Sequence, residues 1–569
     1  MELQNAIEKA FQHISFERIP PPPEAEGSLQ VSGNFLSVSP ALLQYLAREA
    51  FYRLSFFLRK SHLDLLKTQW ADPHSSENDR IVIRALLENA TIAARGVLPL
   101  CQDTGTATVL AWKDEGIRTE SDDAHWLSEG IREAYEKYYL RSSQVAPRSF
   151  FEEYDTGTNL PAQIHIEATP SSGESPRYRF LFVAKGGGSA NKTGFFQMPP
   201  GILEPLAFER FVREKISALG TAACPPYRLA IVVGGTSPEE NLRILKLATT
   251  EILDGLPSIE GAGDFSANST KGSTLYPSAD SPKAPSPPSL EAPLCFRDTF
   301  WERRAREIAR ETGLGAQFGG SAFALDCRVI RLPRHAASCP ISIGVSCSAH
   351  RNLLGYIDRS GVWLEQLETQ PESYIPAPSF HKIKAPRINL EEGIERVCRR
   401  LSELSVGSRL LLSGDLLIAR DAAHLRWHRL IEAGKPLPEY LYQYPILYGG
   451  PAATPPGKII GSFGPTTAQR MDGYGEELLS RGIARITLAK GNRASQWREA
   501  CKKYGGFYLG VIGGVAALIA EQNILACEIL DYPELGMEAV RRITVKDLLA
   551  FIIIDDKGND LYAGPATAQ

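Results

Sequence analysis

Apolar residues recur at helical spacing in the segment that follows Ser75. Ile81, Leu86 and Ile92 fall on one face of such a helix, and Gly96 closes the segment. We therefore predict a buried helix that leads into the string LPLCQDTGT. The residues after that string, TATVLAW, are mainly β-branched and apolar and predict a strand.

Two other apolar runs end in glycines. The run RYRFLFVA leads into the triple glycine 186–188, where backbone can approach a ligand because no Cβ intervenes. The run RLAIVV ends in the glycine pair 234–235, after which Ser237, Pro238 and Glu240 fit the N-cap, first turn and capping-box partner of a helix. Strands that alternate with helices in this way predict α/β units.

The alternation restarts in the last third of the chain. Strands are predicted at SRLLLSG, DLLIAR, IARITLA and GFYLGVI, and helices at AAHLRWHRLIEAG and AQRMDGYGEELLSRG. Ligands of such α/β sheets gather at the carboxyl ends of the strands. Arg420 and Lys490 end two of these predicted strands, and Thr466 and Arg470 open a predicted helix.

Composition marks the boundaries between these parts. Residues 264–293 contain too much Ser, Pro, Lys and Gly to form a core, so we predict a flexible surface insertion there. Residues 368–386 have the proline content of an interdomain linker. The expected fold is α/β with two domains, residues 1–367 and residues 387–569.

Charge and composition exclude several classes of function. The 569 residues include 62 basic and 66 acidic ones, and the net charge of −4 disfavours nucleic acid and anionic membranes as partners. No apolar run reaches the length of about 18 residues that a membrane span needs. Because the N-terminus lacks a signal pattern and the nine cysteines favour reduced thiols, we expect a cytoplasmic protein, with a mitochondrial location still open.

Three cysteines in separate predicted loops are candidate metal ligands. They are Cys101 in LPLCQDTGT, Cys224 in GTAACPPYRL and Cys347 in VSCSAHRN. No CxxC pair joins them, so their spacing indicates neither a zinc ribbon nor a ferredoxin. Taken alone, each is more readily a small buried hydrophobe than a metal ligand.

Eight strings occur in a fixed order along the chain: LPLCQDTGT, VAKGGGSANK, GGTSPE, LPRHAASCP, VSCSAHRN, ARDAAH, GPTTAQRMD and LAKGNR. Together they resemble class I fumarases, the iron–sulfur fumarate hydratases, from about residue 75 to about residue 555. The resemblance implies a homodimeric hydro-lyase that interconverts (S)-malate and fumarate, or a related hydratase of tartrate or mesaconate. It also implies an N-terminal cluster-binding domain and a smaller C-terminal, swivelling-type domain that binds the substrate.

The resemblance further implies a [4Fe-4S] cluster with one iron free of protein ligands. The ligands correspond to Cys101, Cys224 and Cys347, and Cys339 in the same segment is the alternative third ligand. An open iron suits Lewis-acid chemistry on a small dicarboxylate rather than electron transfer. A redox or oxygen-sensing cluster protein and a zinc hydrolase built from His335, Cys339 and Cys347 are the competing interpretations.

Arginines are expected around a dicarboxylate because their planar guanidinium groups bind carboxylates in a bidentate way. Without the motifs, an arginine such as Arg141 is as readily a solvated surface charge. The resemblance assigns substrate binding to Gln102, Asp103, Arg141, Gly188, Asn191, Lys192, Arg420, Arg470 and Lys490.

The resemblance assigns proton abstraction to Thr466. A hydroxyl needs help in that role, which Arg470 and the positive end of the predicted helix would supply. Thr466 as a helix N-cap is the structural alternative. Asp103 and His335 are the other acid/base candidates, because carboxylates and imidazoles titrate nearer to neutral pH.

Three positions depart from the family strings. Ala336 and Gln469 each replace a glycine, and His350 replaces an aspartate. The first two add side chains next to expected site residues, so substrate range is the property in which we expect this chain to differ.

Overall fold

The computed structural model describes residues 2–23, 27–170, 175–260, 293–376 and 384–563. Three large sheets with helices packed on them dominate these residues, which confirms the predicted α/β class. The predicted insertion at 264–293 lies, apart from its last residue, outside the described residues. None of the described helices has the length and apolar character needed to cross a membrane.

The first sheet has six strands, and only its last two neighbours run parallel. In order across the sheet the strands are Phe16–Ile19, Gly361–Glu365, Asn352–Asp358, Tyr178–Lys185, Thr106–Asp114 and Gln163–Thr169. Helices Pro40–Phe56 and Asp123–Lys137 bury one of its faces. Thr106 begins one strand and pairs with Lys185, which ends the neighbouring antiparallel strand. The loop after Cys101 and the loop after Lys185 therefore lie at the same end of the sheet.

The second sheet also has six strands. In order they are Gly194–Met198, Cys339–Ser346, Tyr227–Gly235, Ala324–Arg334, Phe296–Asp298 and Ser258–Ile259. Helices Pro205–Leu219 and Thr299–Glu311 cover one face, while Glu2–His13 and Pro238–Ala248 fill the space between the first two sheets. The second and third strands are buried at every residue, as expected for strands covered on both faces.

The third sheet closes on itself. Its seven strands are, in order, Arg387–Asn389, Arg409–Ile418, Ile446–Leu447, Ile486–Ala489, Phe507–Val511, Val540–Ile554 and Ile524–Asp531. A further pairing joins Arg409–Ile418 to Val540–Ile554. The two strands predicted at SRLLLSG and DLLIAR are therefore one strand, with an irregular register next to Gly414. Its helices are Ile394–Ser402, Asp421–Glu432, Asp472–Ser480 and Ser495–Tyr504.

Short elements complete the described fold. The small strands are Leu29–Ser32, Phe35–Val38, Ile117–Thr119, Val145–Pro147, Glu153–Asp155, Gly449–Pro451 and Phe463–Pro465. The short helical turns are Gly187–Ala190, Pro200–Leu203, Pro371–Tyr374, Leu390–Glu392, Glu439–Tyr442, Ala468–Met471, Ala516–Leu518, Ile519–Asn523 and Pro533–Glu538.

Two helices of the N-terminal part, Lys60–Ala71 and Glu77–Ala93, pack into the apolar core of the third sheet. The second is the helix predicted after Ser75, and it begins with a capping box between Ser76 and Asp79. The Asp79 carboxylate also accepts the N–H of Ala316 at 2.7 Å. A continuous core thus joins the N-terminal part to the third sheet, and the domain boundary at 368–386 stays a prediction.

Candidate active site

A cavity of about 210 Å³ lies between loops of the first two sheets and loops at the carboxyl ends of third-sheet strands. Its volume suits a molecule smaller than a typical drug. The structure brings all the predicted substrate-binding residues to its wall, together with Thr466. The lining residues are Gln102, Asp103, Arg141, Gly187, Gly188, Asn191, Lys192, Ala222, Arg420, Gly450, Gly464, Pro465, Thr466, Thr467, Gln469, Arg470 and Lys490.

The three predicted cysteine ligands lie together next to this cavity. The Ser348 N–H donates to the Cys224 carbonyl at 3.1 Å, which joins the loop of Cys224 to that of Cys347. The thiols of Cys101, Cys224 and Cys347 interact electrostatically with one another. Burial raises the pKa of Cys101, and it raises the pKa of Cys224 to about 11. Without an electrophilic partner, these two buried thiols stay protonated at neutral pH.

This donor set fits an iron–sulfur cluster. Thiolates are the usual cluster ligands, and iron displaces the thiol proton even where burial disfavours the free anion. Within the described ranges, no three His, Cys, Asp or Glu side chains converge closely enough to hold a single metal ion. Cluster cysteines each bind a different iron, so they need not converge on one point.

Two features of the third-sheet region complete the surroundings of Cys224. The Lys490 Nζ donates to the Cys224 Sγ at 2.9 Å. A Cβ on Gly513 would collide with the same sulfur and would approach the Lys490 Cδ to 2.9 Å, so only glycine fits there. The region after residue 386 thus contacts the thiol group directly.

Cys339 is remote from this group. It begins the buried strand Cys339–Ser346, whereas Cys347 follows the other end, about 26 Å away at the usual rise per residue. Cys339 and Cys347 therefore cannot share a metal ion, and the zinc site considered for His335, Cys339 and Cys347 is wrong. Cys347, not Cys339, lies with the other two candidate ligands.

Asp103 is held by the predicted glycine loop. Its Oδ2 accepts the Gly187 N–H at 2.8 Å, and a Cβ on Gly186 would come within 2.9 Å of the same oxygen. Burial alone would raise the pKa of Asp103, but Arg141, Arg351 and the Gly187 N–H together hold it below its usual value. The carboxylate is ionised at neutral pH, with its buried Oδ1 left unpartnered.

Gln102 links the thiol group to the third-sheet region. Its Nε2 donates to the Pro465 carbonyl at 3.3 Å, and its Oε1 lies 3.5 Å from the Cys101 Sγ. A Cβ on Gly464 would collide with the Gln102 amide. Glycine at 464 is therefore needed for this contact.

The arginines come from distant elements. Arg141 follows the helix Asp123–Lys137, and its backbone N–H donates to the Thr104 Oγ1 at 2.9 Å. Arg420 is buried and precedes the helix Asp421–Glu432, and its Nη2 donates to the Glu538 Oε1 at 2.5 Å. Glu538 lies on a short turn 118 residues further along the chain.

Thr466 and Arg470 lie on one turn at the cavity. The Arg470 Nη1 donates to the Thr466 Oγ1 at 3.1 Å, and its Nη2 donates to Asp421 at 2.5 Å. The predicted helix begins as a 3₁₀ turn, Ala468–Met471, whose N-cap is Thr467 and not Thr466. The interpretation of Thr466 as an N-cap is therefore wrong.

The remaining acid/base candidate, His335, does not reach this cavity in the described chain. It is exposed on the turn after the strand Ala324–Arg334, where its Nδ1 accepts the Ala337 N–H at 3.2 Å. Of the departures from the family strings, Ala336 is exposed on the same turn and His350 is buried with its Nε2 3.0 Å from the Arg228 Nη1. Gln469 alone among them lines the cavity.

Sequence reasoning missed three charged groups around the site. Glu538 and Asp421 orient Arg420 and Arg470 through ion pairs, and Arg351 interacts electrostatically with the thiols of Cys101 and Cys347. Asp421 directly follows Arg420 in the string ARDAAH, which was a usable signal. Glu538 belongs to none of the eight strings, so only the fold identifies it.

The chain is similar over most of its length to known proteins. The family profile described as "Fumarate hydratase (Fumerase)" matches residues 44–355, and that described as "Fumarase C-terminus" matches residues 361–564. The chain is 47% identical to fumarate hydratase 2 of Leishmania major, over 93% of this chain and 88% of that protein. It is 46% identical to the anaerobic and 45% identical to the aerobic class I fumarate hydratase of Escherichia coli K12, each over 93% of this chain and 90% of the relative.

The fold and the cation-lined cavity define an enzyme for a small anionic substrate. The profiles and relatives narrow this class further, and the chain belongs to the class I fumarate hydratase family. It is a carbon–oxygen hydro-lyase, which adds water to fumarate and catalyses the reverse dehydration.

Proposed function

We propose that the chain interconverts (S)-malate and fumarate with a [4Fe-4S] cluster held by Cys101, Cys224 and Cys347. The observation that carries this proposal is the meeting of three thiols and an arginine-lined cavity, built from segments hundreds of residues apart. The cavity volume of about 210 Å³ suits a four-carbon diacid, and its cations suit two carboxylates.

The two parts of the chain have different roles in this proposal. Residues 1–367 hold the cluster and supply Asp103 and Arg141, whereas residues 387–569 supply most of the groups that bind and deprotonate the substrate. The contact between Lys490 and Cys224, at 2.9 Å, fixes the two parts against each other at the reacting centre.

When bound, the cluster supplies an iron without a protein ligand, a Lewis acid suited to the hydroxyl of malate. Arg141, Arg420 and Lys490 neutralise and orient the two substrate carboxylates. Gly188 lines the cavity beside them, where a Cβ would lie 3.8 Å from the Lys490 Nζ.

Thr466 removes the proton from C3 of malate in the dehydration direction and returns it in hydration. The Arg470 Nη1, 3.1 Å from the Thr466 Oγ1, stabilises negative charge on that oxygen. Asp421 holds the guanidinium in place through two hydrogen bonds, at 3.0 and 2.5 Å.

The test is turnover by anaerobically purified protein, followed through the ultraviolet absorbance of fumarate. Malate and fumarate should be preferred over tartrate and mesaconate. Because Gln469 lines the cavity, Gln469→Gly should raise the relative activity on the bulkier diacids. A cluster-loaded protein that converts none of the four compounds would contradict the proposal.

The proposal includes a homodimer in the cytoplasm. Sedimentation of the purified protein tests the homodimer, and fractionation of cells tests the cytoplasmic location. A fully active monomer would contradict the proposed homodimer.

A further inference from the structure

Buried arginines in the described part of the chain have carboxylate partners, with one exception. The buried arginines of the described residues are Arg59, Arg179, Arg228, Arg351, Arg420 and Arg493. All but Arg351 form an ion pair, with Glu365, Asp114, Glu251, Glu538 and Asp472 respectively. Within the described chain, no carboxylate lies within 4.0 Å of the Arg351 guanidinium.

Arg351 is only 4% exposed, and its Nε has no hydrogen-bond partner. Its backbone is fixed at the end of the first sheet, where the Ala184 N–H donates to the Arg351 carbonyl at 3.0 Å. The residue follows the loop that carries Cys347 and begins the strand pairing of Asn352 with Val183. The position is therefore set by the sheet, not by a surface loop.

A buried charge without a compensating partner destabilises the folded state, so a guanidinium in this position needs an anion. The groups with which it interacts electrostatically include the thiols of Cys101 and Cys347 and the carboxylate of Asp103. Asp103 already faces Arg141 and the Gly187 N–H. The thiols are the groups whose charge changes when metal binds.

We propose that Arg351 is the fixed counter-cation of the thiol group, which compensates the charge that Cys101 and Cys347 acquire when they hold the cluster. The proposal rests on the proposed function, since it takes the thiols to be cluster ligands. Arg351 is a positioning residue in this role and does not touch the substrate.

A fixed cation beside a cluster favours the more negative, reduced state of the cluster. In Arg351→Met the ratio of reduced to oxidised cluster, at a fixed potential, should fall by about tenfold, equivalent to about 59 mV for one electron. Arg351→Lys keeps the charge and should stay within about twofold of the wild type. The matched control is Arg179→Met, which removes a buried arginine paired with Asp114 and should leave the ratio unchanged.

The measurement is an anaerobic redox titration followed by electron paramagnetic resonance, after iron and sulfide have been quantified in each variant. A tenfold shift in Arg351→Met with a wild-type titration in Arg351→Lys supports the proposal. Failure of folded Arg351→Met to take up the cluster, with normal uptake by Arg351→Lys, supports it too. If Arg351→Met unfolds, Arg351→Gln replaces it with the same criteria.

Two results would overturn the role of Arg351. One is a redox titration of Arg351→Met that matches that of the wild type. If kcat/KM alone falls in that variant, Arg351 acts on the Asp103 carboxylate and not on the thiols. The other is equal behaviour of Arg351→Lys and Arg351→Met, which would show that charge is not the basis. Wild-type protein that takes up neither iron nor sulfide would instead reject the proposed function.

Discussion

The two walls of the cavity are stabilised in different ways. On the arginine wall, formed by Arg420, Thr466, Arg470 and Lys490, carboxylates orient both guanidinium groups through ion pairs. The cysteine wall is formed by the loops of Cys101, Cys224 and Cys347, which backbone hydrogen bonds and closely packed glycines hold in place. Its buried guanidinium, that of Arg351, has no carboxylate within 4.0 Å in the described chain. The two guanidinium groups of the arginine wall are thus paired with carboxylates before anything binds, whereas the buried guanidinium of the cysteine wall is not.

A glutamine shows how the cysteine wall is kept in register. The Gln317 Nε2 donates to the Pro225 carbonyl at 3.1 Å and to the Gly513 carbonyl at 2.9 Å, and its Oε1 accepts the Gly513 N–H at 2.8 Å. One amide therefore connects the loop of Cys224 to the glycine that packs on its sulfur. A neutral amide can do so without adding charge beside the thiols.

Each wall also rests on a buried histidine that contacts a backbone carbonyl. The His62 Nε2 lies 2.8 Å from the Ser348 carbonyl, and the His424 Nδ1 lies 2.9 Å from the Arg420 carbonyl. Burial lowers the pKa of both imidazoles to about 4, so both are neutral at physiological pH. The supports of the two walls thus share a sensitivity to acid.

The largest effect should follow from damage to the cysteine wall. Cys224→Ser removes one of the three proposed cluster ligands, and we expect loss of iron together with a fall in activity of on the order of a thousandfold or more. Cys339→Ser is the matched control, because Cys339 is buried on a strand away from the cavity. Normal iron content in Cys224→Ser would contradict the assignment.

Thr466→Ala should have the next largest effect. Loss of the proposed base should lower kcat by about 10²–10⁴ with the cluster intact and KM little changed. Thr466→Ser keeps a hydroxyl next to Arg470 and should retain much more activity. Turnover by Thr466→Ala close to that of the wild type would remove Thr466 from the chemistry.

The two ion pairs of the arginine wall should differ in their importance. Glu538→Gln weakens a pair with a buried arginine, and we expect a rise in KM of about ten- to a hundredfold from a lost charge-assisted hydrogen bond. Arg470 is 48% exposed and acts on Thr466, so Asp421→Asn should lower kcat only about two- to fivefold. Steady-state kinetics on malate measures both, and equal effects would contradict the comparison.

The smallest effect should concern stability alone. His424 has its pKa lowered from 6.5 to about 4 by burial, so the folded state resists the protonation that the unfolded chain accepts. Its stabilising contribution is full above pH 6.5 and is lost as the pH falls toward 4, by about 2 kcal/mol at pH 5. Urea unfolding of wild type and His424→Gln at pH 8 and pH 5 measures this loss. An equal acid dependence of both proteins would refute the prediction.

Local signals predicted local structure well. The helix Glu77–Ala93 and the strands around the glycines follow from short-range pattern, and Ser237 caps its helix as predicted by accepting the Glu240 N–H. The Glu240 side chain instead accepts from Thr236, a choice of partner that only the folded loop determines.

Long-range features were beyond the sequence. The pairing of Arg409–Ile418 with Val540–Ile554 and the contact of Arg420 with Glu538 depend on how separate segments meet. The resemblance supplied the residues around the cavity, but the isolation of Arg351 from carboxylates became visible only in the fold. His335 is the candidate that its string suggested and the structure leaves outside the cavity.

The most direct test of the central claim is the iron and sulfide content of anaerobically purified wild-type protein, measured on the sample used for malate turnover. The account predicts about four iron and four sulfide per chain, with activity proportional to iron as the metal is removed by a chelator. Full activity in protein that contains no iron would contradict it.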